Sequence, residues 1–117
     1  MKKIGFEFCE KENGELYIGD FLKKLDQRSY KKLMDKFDMF QNHTFFDFRK
    51  SKHTELLDKK TRLWEVKTKI GKHWYRFLGK WVENIFYIVH AFKKKTNKTP
   101  LKEIKISNKK IEDYFNI

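Results

Sequence analysis

The sequence predicts an α+β fold in which helices pack on a mainly antiparallel sheet. Apolar residues recur at spacings of three and four between positions 20 and 40, and again after position 100, which indicates helices. Between positions 61 and 92 the pattern alternates or becomes continuously apolar, and short turns divide it, which indicates three consecutive strands. The predicted order of elements is therefore β-α-α-β-β-β-α.

The first half is predicted to contain one strand and a helical hairpin. Residues 4–8 alternate between apolar and polar or small side chains, as in a half-buried strand, and Asn13-Gly14 is typical of a turn. We expect Asp20 to cap a short first helix. A second helix presents one apolar face, formed by Tyr30, Leu33, Met34, Phe37 and Phe40. Segment 43–60 combines aromatic residues with a polar stretch, so its structure stays open.

The second half is predicted to form a three-stranded meander and a final helix. Residues 62–70 alternate, which places Glu65, Lys67 and Lys69 on one face. Turns at Gly71 and over residues 79–84 separate this strand from residues 73–79 and 85–92, and the last segment is apolar on both faces, like a central strand. Thr99 followed by Pro100 is typical of an N-cap and the first position of a helix.

The composition favours a folded, basic protein that binds a polyanion. The formal net charge is +12, and residues 61–117 carry 14 of the 28 basic side chains but only 5 of the 16 acidic ones. Such an excess is typical of nucleic-acid-binding proteins. A chain of 117 residues with 12 Phe is long enough for one hydrophobic core, so we expect a single domain over residues 1–117.

Several classes of protein are disfavoured. One cysteine, Cys9, excludes an internal disulfide framework and fits a reducing compartment. The histidines and Cys9 lack the spacings of metal ligands, so no metal is expected. No apolar stretch has the length of a membrane span, and Glu7 and Glu10 follow the first lysines too closely for a signal peptide. These features predict a cytoplasmic protein with no membrane contact.

An ordered set of motifs resembles a known family of toxins. "LWEVKTKIGKHWYRFLG", then "IVHAFKKKTNKTP", then a lysine-rich final helix resemble the HigB branch of the RelE/ParE superfamily, which includes phage-derived toxins of type II toxin–antitoxin systems. "FLKKLDQRSYKKLMDKF" is similar to the helical hairpin of that family, and the resemblance covers residues 4–115. It implies a RelE-like fold, with the hairpin and the C-terminal helix packed on a curved sheet.

The resemblance also implies an activity and a set of partners. It implies a ribosome-dependent mRNA endoribonuclease that inhibits translation without a metal or another cofactor. The ribose 2′-hydroxyl would attack the neighbouring phosphate, which requires a base, an acid and cations near the developing charge. It further implies a cognate HigA-like, helix-turn-helix antitoxin, and contact with operator DNA only through the antitoxin complex.

Four residues are candidates for the chemistry. In the resembling family an arginine at the place of Arg76 faces the scissile phosphate, where its planar fork suits two oxygens. Lys67 lies where the family usually has arginine. Glu65 is a candidate base, or else the partner of a cation on its own or a neighbouring strand. His90 is a candidate for proton transfer because histidine titrates near neutral pH, although a hydrogen-bonded structural histidine is an equal alternative.

Five lysines are candidates for RNA binding. They are Lys69, Lys93, Lys94, Lys95 and Lys98. Contacts between lysines and phosphates determine affinity and its dependence on salt, rather than base preference. The alternative for each lysine is a solvated surface position without a role.

Two other functions fit the same resemblance. One is a non-catalytic basic module that binds RNA or the ribosome and blocks translation, since the sequence shows no obvious acid–base pair. The other is a gyrase-targeting toxin, whose target is a protein.

Overall fold

A computed structural model describes residues 2–117, which form one sheet and four helices. The strands are β1 (Gly5–Phe8), β2 (Thr54–Asp58), β3 (Leu63–Ile70), β4 (His73–Val82) and β5 (Ile85–Lys94). The helices are α1 (Gly19–Lys23), α2 (Gln27–Phe40), α3 (Phe45–Arg49) and α4 (Leu101–Phe115). None of these helices is long and apolar enough to cross a membrane.

The sheet has the strand order β1-β5-β4-β3-β2. Strands β2 to β5 form an antiparallel meander, and β1 joins its far edge by pairing in parallel with β5. The sheet is therefore mixed, and the α+β class predicted from the sequence is confirmed. The arrangement is consistent with a RelE-like fold.

Helices cover both faces of the sheet. Leu33, Phe37 and Phe40 of α2 belong to one buried cluster with Val66 and Phe77 of the sheet. Ile111 of α4 belongs to a second buried cluster with Leu63 and Leu78. Because adjacent strand residues point to opposite faces, Phe77 and Leu78 place these clusters on opposite sides of β4. The sheet is thus the middle layer, between the hairpin and α4.

The open segment 43–60 contains two further elements, α3 and β2. Thr44 caps α3, since its hydroxyl accepts a hydrogen bond from the Asp47 backbone N at 3.2 Å. Thr54 begins β2 and donates from its hydroxyl to the Glu65 carbonyl at 2.7 Å. These local capping and pairing bonds explain why the mixed pattern resolves into a short helix followed by an edge strand.

Three predicted boundaries are wrong. Asp20 lies inside α1, whose N-cap position is Ile18, and Asp26 instead caps α2 by accepting from the Ser29 N at 2.7 Å. Pro100 occupies the N-cap position of α4, because the Thr99 side chain is engaged elsewhere. Strand β4 continues through Gly79 instead of turning there.

The single cysteine lies deep in the second cluster. Cys9 is 1% exposed, and burial raises the pKa of its thiol to about 12. The thiolate is the reactive form, so the folded protein holds this sulfur in an inert state.

Gly79 is required by the close approach of β4 and β5 at a β-bulge. A Cβ at this position would lie 1.8 Å from the carbonyl oxygen of Tyr87, which is backbone and does not move aside. We predict that Gly79→Ala lowers the free energy of unfolding by at least about 3 kcal/mol, measured by urea denaturation. Gly19→Ala is the control, because its Cβ would meet only Leu16 Cβ at 3.8 Å. Equal stability of the two variants would contradict this account of the bulge.

Candidate functional site

One end of the α4-covered face carries a row of cationic and aromatic side chains that the helix does not cover. Across β3, β4 and β5, Lys69 lies opposite Trp74 and Trp74 opposite Lys94. In the next row Lys67 lies opposite Arg76. Residues directly opposite each other in adjacent strands share a face, so the three lysines and Trp74 form one surface, in which Lys67 and Lys69 share a face as the alternation of the sequence predicts.

Trp74 is surrounded by positive charge. The Lys67 Nζ lies 5.5 Å from the centroid of its ring, the Lys69 Nζ 5.9 Å, and the Arg76 Cζ 5.8 Å. Each contact is a modest cation–π attraction, of about 0.5–1 kcal/mol at an exposed site. The Arg76 charge is paired with the buried Glu65, whereas the charges of Lys67 and Lys69 repel one another beside the indole, and an anion placed between them would relieve that repulsion.

These residues line a cavity of about 420 Å³. We call it the lysine groove, and its main lining side chains are Lys36, Lys52, His53, Lys67, Lys69 and Trp74. A neighbouring cavity of about 450 Å³ shares Lys36 and Lys69 with it. None of the described side chains that line the lysine groove is acidic, so its positive potential is not neutralised from within.

Below this surface, Arg76 is fully buried, and both of its terminal guanidinium nitrogens donate within the protein, while its Nε has no partner among the described residues. Its Nη1 donates to the Glu65 Oε1 at 2.9 Å and to the Thr99 Oγ1 at 3.3 Å, and its Nη2 donates to the Thr96 carbonyl at 3.1 Å. The Thr99 hydroxyl also donates to the same Glu65 oxygen. Arg76 and Glu65 are 0% and 1% exposed, so this is a buried ion pair.

This arrangement changes what the sequence suggests for the pair. The sequence expects the Arg76 fork on phosphate oxygens and offers Glu65 as a base or as an ion-pair partner. In the structure the fork is occupied by Glu65, Thr99 and the Thr96 carbonyl, and the ion-pair alternative for Glu65 is the one observed. The pair ties β3 and β4 to the loop after β5, and therefore positions the floor and rim of the lysine groove.

His90 is likewise enclosed by α4. Its Nε2 lies 2.8 Å from the Glu103 Oε1, and its Nδ1 lies 3.0 Å from the Lys110 Nζ. Because Lys110 only donates, Nδ1 must be the acceptor and Nε2 the donor to Glu103, so the ring is neutral. Both nitrogens are occupied, which fits the structural alternative for His90 and leaves neither nitrogen available to a substrate in this arrangement.

The lysines at the end of β5 are all exposed, namely Lys93, Lys94, Lys95 and Lys98. Lys94 lies on the groove face, and Lys93 lies opposite Tyr75 on the other face. Asn97 lines the groove itself, so the loop that carries Lys95 and Lys98 forms its rim. The five lysines predicted to bind RNA therefore do not form one continuous line, because Lys93 points away from the others.

His53 is the titratable residue of the groove that sequence analysis missed. The Lys67 backbone N donates to the His53 carbonyl at 2.8 Å, which holds the two residues side by side. Desolvation lowers the pKa of His53, and the nearby charges of Lys52 and Lys36 lower it further, while the backbone contact with Lys67 opposes them. The imidazole is therefore neutral at neutral pH and able to accept a proton.

Lys36, Lys52 and His53 come from α2 and the segment before β2, which carry no motif of their own. Their alignment with β3 follows from tertiary packing, so no local pattern reveals them. Among residues 2–117 no group of three His, Cys, Asp or Glu side chains is arranged to hold a metal ion.

Comparison with protein families identifies the chain. The family model "Phage derived protein Gp49-like (DUF891)" matches residues 20–112, a range that includes the whole lysine groove. The chain belongs to this Gp49-like family. The family is associated with RelE/HigB-like toxins of toxin–antitoxin systems, which implies an antitoxin as partner. No curated protein and no solved structure shows a significant match.

The buried ion pair of this Gp49-like protein generates a stability prediction. Arg76→Ala leaves the Glu65 carboxylate buried without its partner, so we expect the free energy of unfolding to fall by about 3–5 kcal/mol. Replacing both members by apolar residues, as in Arg76→Met with Glu65→Leu, should return stability to within about 2 kcal/mol of the parent. Urea denaturation of the parent, of Arg76→Met, of Glu65→Leu and of the double variant measures the coupling energy between the two side chains. A double variant as unstable as the sum of its single variants would show that the two groups do not interact.

His90 generates a prediction about pH. Burial lowers its pKa below the usual 6.5, and the Lys110 charge adds to the shift, while Glu103 opposes it. The unfolded chain therefore binds the proton first, so the free energy of unfolding should fall as the pH drops below about 6.5 and stay level above it. The pKa values of His90 and His53 are both lowered, so their contributions to this slope must be separated. Measuring the free energy of unfolding of the parent, His90→Gln and His53→Gln from neutral to mildly acidic pH does so. His90→Gln with the slope of the parent would exclude this contribution.

Proposed function

We propose that this Gp49-like protein is the toxin of a type II toxin–antitoxin pair that binds and cleaves mRNA on the ribosome and so inhibits translation. The observation that carries the proposal is the lysine groove, where the ammonium groups of Lys67 and Lys69 flank Trp74 and no acidic side chain of the lining neutralises them. Membership of a family associated with such toxins supports it.

The groove combines the two features that single-stranded RNA recognition requires. Lys52, Lys67 and Lys69 offer ammonium groups to phosphates, and Trp74 offers an indole on which a base stacks. Both contacts are tolerant of sequence, so they hold the strand without selecting a base. Lys94, Lys95 and Lys98 extend the positive surface along the rim.

We assign the chemical step to residues of the groove. A neutral His53 takes the proton of the ribose 2′-hydroxyl, the 2′-oxygen bonds to the adjacent phosphorus, and the bond from phosphorus to the 5′-oxygen breaks. Lys67 and Lys69 neutralise the charge that develops on the phosphate, and a lysine ammonium or water supplies the proton to the departing 5′-oxygen. Arg76 and Glu65 act as positioning residues in this scheme, because they hold the loop and strands that carry the lysines.

The antitoxin would act on the same surface. We propose a HigA-like, helix-turn-helix partner that covers the lysine groove with an acidic segment, since complementary charge speeds capture and occlusion blocks RNA. Operator DNA would then be contacted only by the complex. This proposal places the toxin in the cytoplasm, where mRNA and ribosomes are found.

A non-catalytic RNA-binding or ribosome-binding module is the second candidate. It is favoured by the engagement of Arg76, Glu65 and His90 in hydrogen bonds within the fold, which leaves three of the four residues first considered for chemistry turned inward. Such a module would inhibit translation by occupying the ribosome.

The decisive experiment is mRNA cleavage on programmed ribosomes, read by primer extension. Expression of the parent without an antitoxin should arrest growth, and Lys67→Ala with Lys69→Ala should relieve the arrest and lower cleavage by about 100-fold or more. The same double variant should lower the slope of RNA binding against salt by about 1.4, for two lost single-strand phosphate contacts. His53→Gln should slow cleavage by about 100-fold while leaving RNA binding unchanged.

The matched control is Lys2→Ala with Lys109→Ala, which removes the same charge from two exposed positions outside the groove. It should cleave and bind like the parent. Cleavage that persists in the groove variant would place the active site elsewhere. Arrest of translation by the parent without any cut in the mRNA would favour the non-catalytic module.

A further inference from the structure

A second cavity of about 450 Å³ lies at the other end of β3, away from the lysine groove. We call it the indole pocket, and its main lining side chains are Phe45, Arg49, Arg62, Trp64, Trp81 and Glu83. Trp64 and Lys69 are five residues apart on the same strand, which corresponds to about 17 Å. The odd spacing places the two side chains on opposite faces of the sheet, so the cavities are separate, and an RNA strand that reaches both passes around the edge formed by β2.

The chemistry of the indole pocket matches a nucleotide. The guanidinium carbon of Arg49 lies 6.0 Å from the centroid of the Trp64 ring, so a planar cation already lies near the face of this indole. Within residues 2–117 neither Arg49, Arg62 nor Glu83 takes part in an ion pair. Two arginines free of carboxylates are suited to a phosphate, which accepts from the guanidinium fork.

Two further features belong to residues that line this pocket. In the described chain, Trp81 Nε1 is a buried donor with no hydrogen-bond partner, and such groups are rare. Arg62 and Glu83 are non-glycine residues in the left-handed region, with φ of 62° and 56°. Both lie in the tight turns that join β2 to β3 and β4 to β5, where this conformation is common, and these turns bring the two charged residues to the same end of the sheet.

The remaining cation of the lining does not contribute. The Lys80 Nζ lies 5.5 Å from the ring centroid of Phe115 on α4, so its charge is directed to the opposite face. The pocket thus presents two arginines, one carboxylate and aromatic walls, in contrast to the lysine-only cations of the groove. This mixture suits a base with a phosphate rather than a bare polyphosphate.

We propose that the indole pocket binds one nucleotide of an RNA strand, with its base against Trp64 and its phosphate on Arg49 and Arg62. The inference rests on the proposed RNA-directed function and adds a second subsite to it. In this proposal, the pocket holds a nucleotide of the strand that lies outside the lysine groove.

The three tryptophans make the test specific, because Trp74 reports the groove, whereas Trp64 and Trp81 report the pocket. Their indole N–H signals are followed by ¹H–¹⁵N spectroscopy during titration with adenosine 5′-monophosphate, with inorganic phosphate and with a short adenine oligoribonucleotide. We expect the nucleotide to shift the Trp64 and Trp81 signals saturably, and the oligoribonucleotide to shift all three with at least about tenfold higher affinity. Equal affinity for phosphate, signals that move only at Trp74, or an oligoribonucleotide that leaves Trp64 and Trp81 unmoved would each overturn the proposal.

Substitutions of the two arginines test whether their side chains contribute to nucleotide binding. Arg49→Ala with Arg62→Asn removes both guanidinium groups and keeps a residue that tolerates the left-handed conformation, so it should weaken nucleotide binding at least about tenfold. Arg28→Ala with Lys109→Ala removes the same charge from exposed positions outside the pocket and should bind like the parent. If the double variant does not fold, Arg49→Ala alone replaces it in the binding experiment, because Arg49 is exposed on α3. Nucleotide binding unchanged by these substitutions would refute the assignment, whereas loss of mRNA cleavage alone bears only on the lysine groove.

Discussion

The rest of the site depends on the buried ion pair between Arg76 and Glu65. Two charges removed from water are costly, and their attraction compensates only when the geometry is good and the remaining hydrogen-bonding groups find partners. Here Thr99 and the Thr96 carbonyl supply partners for the terminal nitrogens of Arg76, although its Nε has none among the described residues, so the pair links two central strands to the loop after β5. These hydrogen bonds fix the position of the loop, and that position defines the rim of the lysine groove.

Above the ion pair, the surface accumulates lysines that nothing in the groove neutralises, and their mutual repulsion opposes folding. The aromatic cluster on the opposite face of the sheet offsets this cost. Phe37 packs against Phe6 at 4.7 Å and against Phe77 at 4.9 Å between ring centroids, and Trp81 packs against Phe86 at 4.9 Å. Binding charge and stabilising core therefore occupy different faces of the same strands, which allows the sheet to carry a surface that contributes little to stability.

The order of the main elements was predictable because strong periodicities specify them, as in the alternation of residues 62–70 and the apolar run of residues 85–92. The same alternation correctly placed Lys67 and Lys69 on one face of β3, and the pairing of the strands adds Lys94 to that face. The short α3 and the edge strand β2 were not predictable, since a single cap at Thr44 and one pairing partner decide them. The partners of Arg76 and His90 were not predictable, because Thr99, Glu103 and Lys110 belong to the distant loop and α4, although the sequence did offer a structural role for His90. A sequence pattern identifies the face of a strand, but the element that covers that face determines whether a side chain reaches solvent.

The parallel pairing of β1 with β5 has a consequence for the order of assembly. Gly5 pairs with Ile85, and Arg76 finds its last side-chain partner at Thr99, so both contacts join segments that are synthesised far apart in time. Contacts of such long sequence separation form late, because the entropy of closing the loop must be overcome first. A chain emerging from the ribosome therefore cannot complete its groove until Asn97 and Thr99, which follow β5, have been made. For a protein proposed to act on the ribosome, topology would itself delay activity until this segment has been synthesised and has folded onto the sheet.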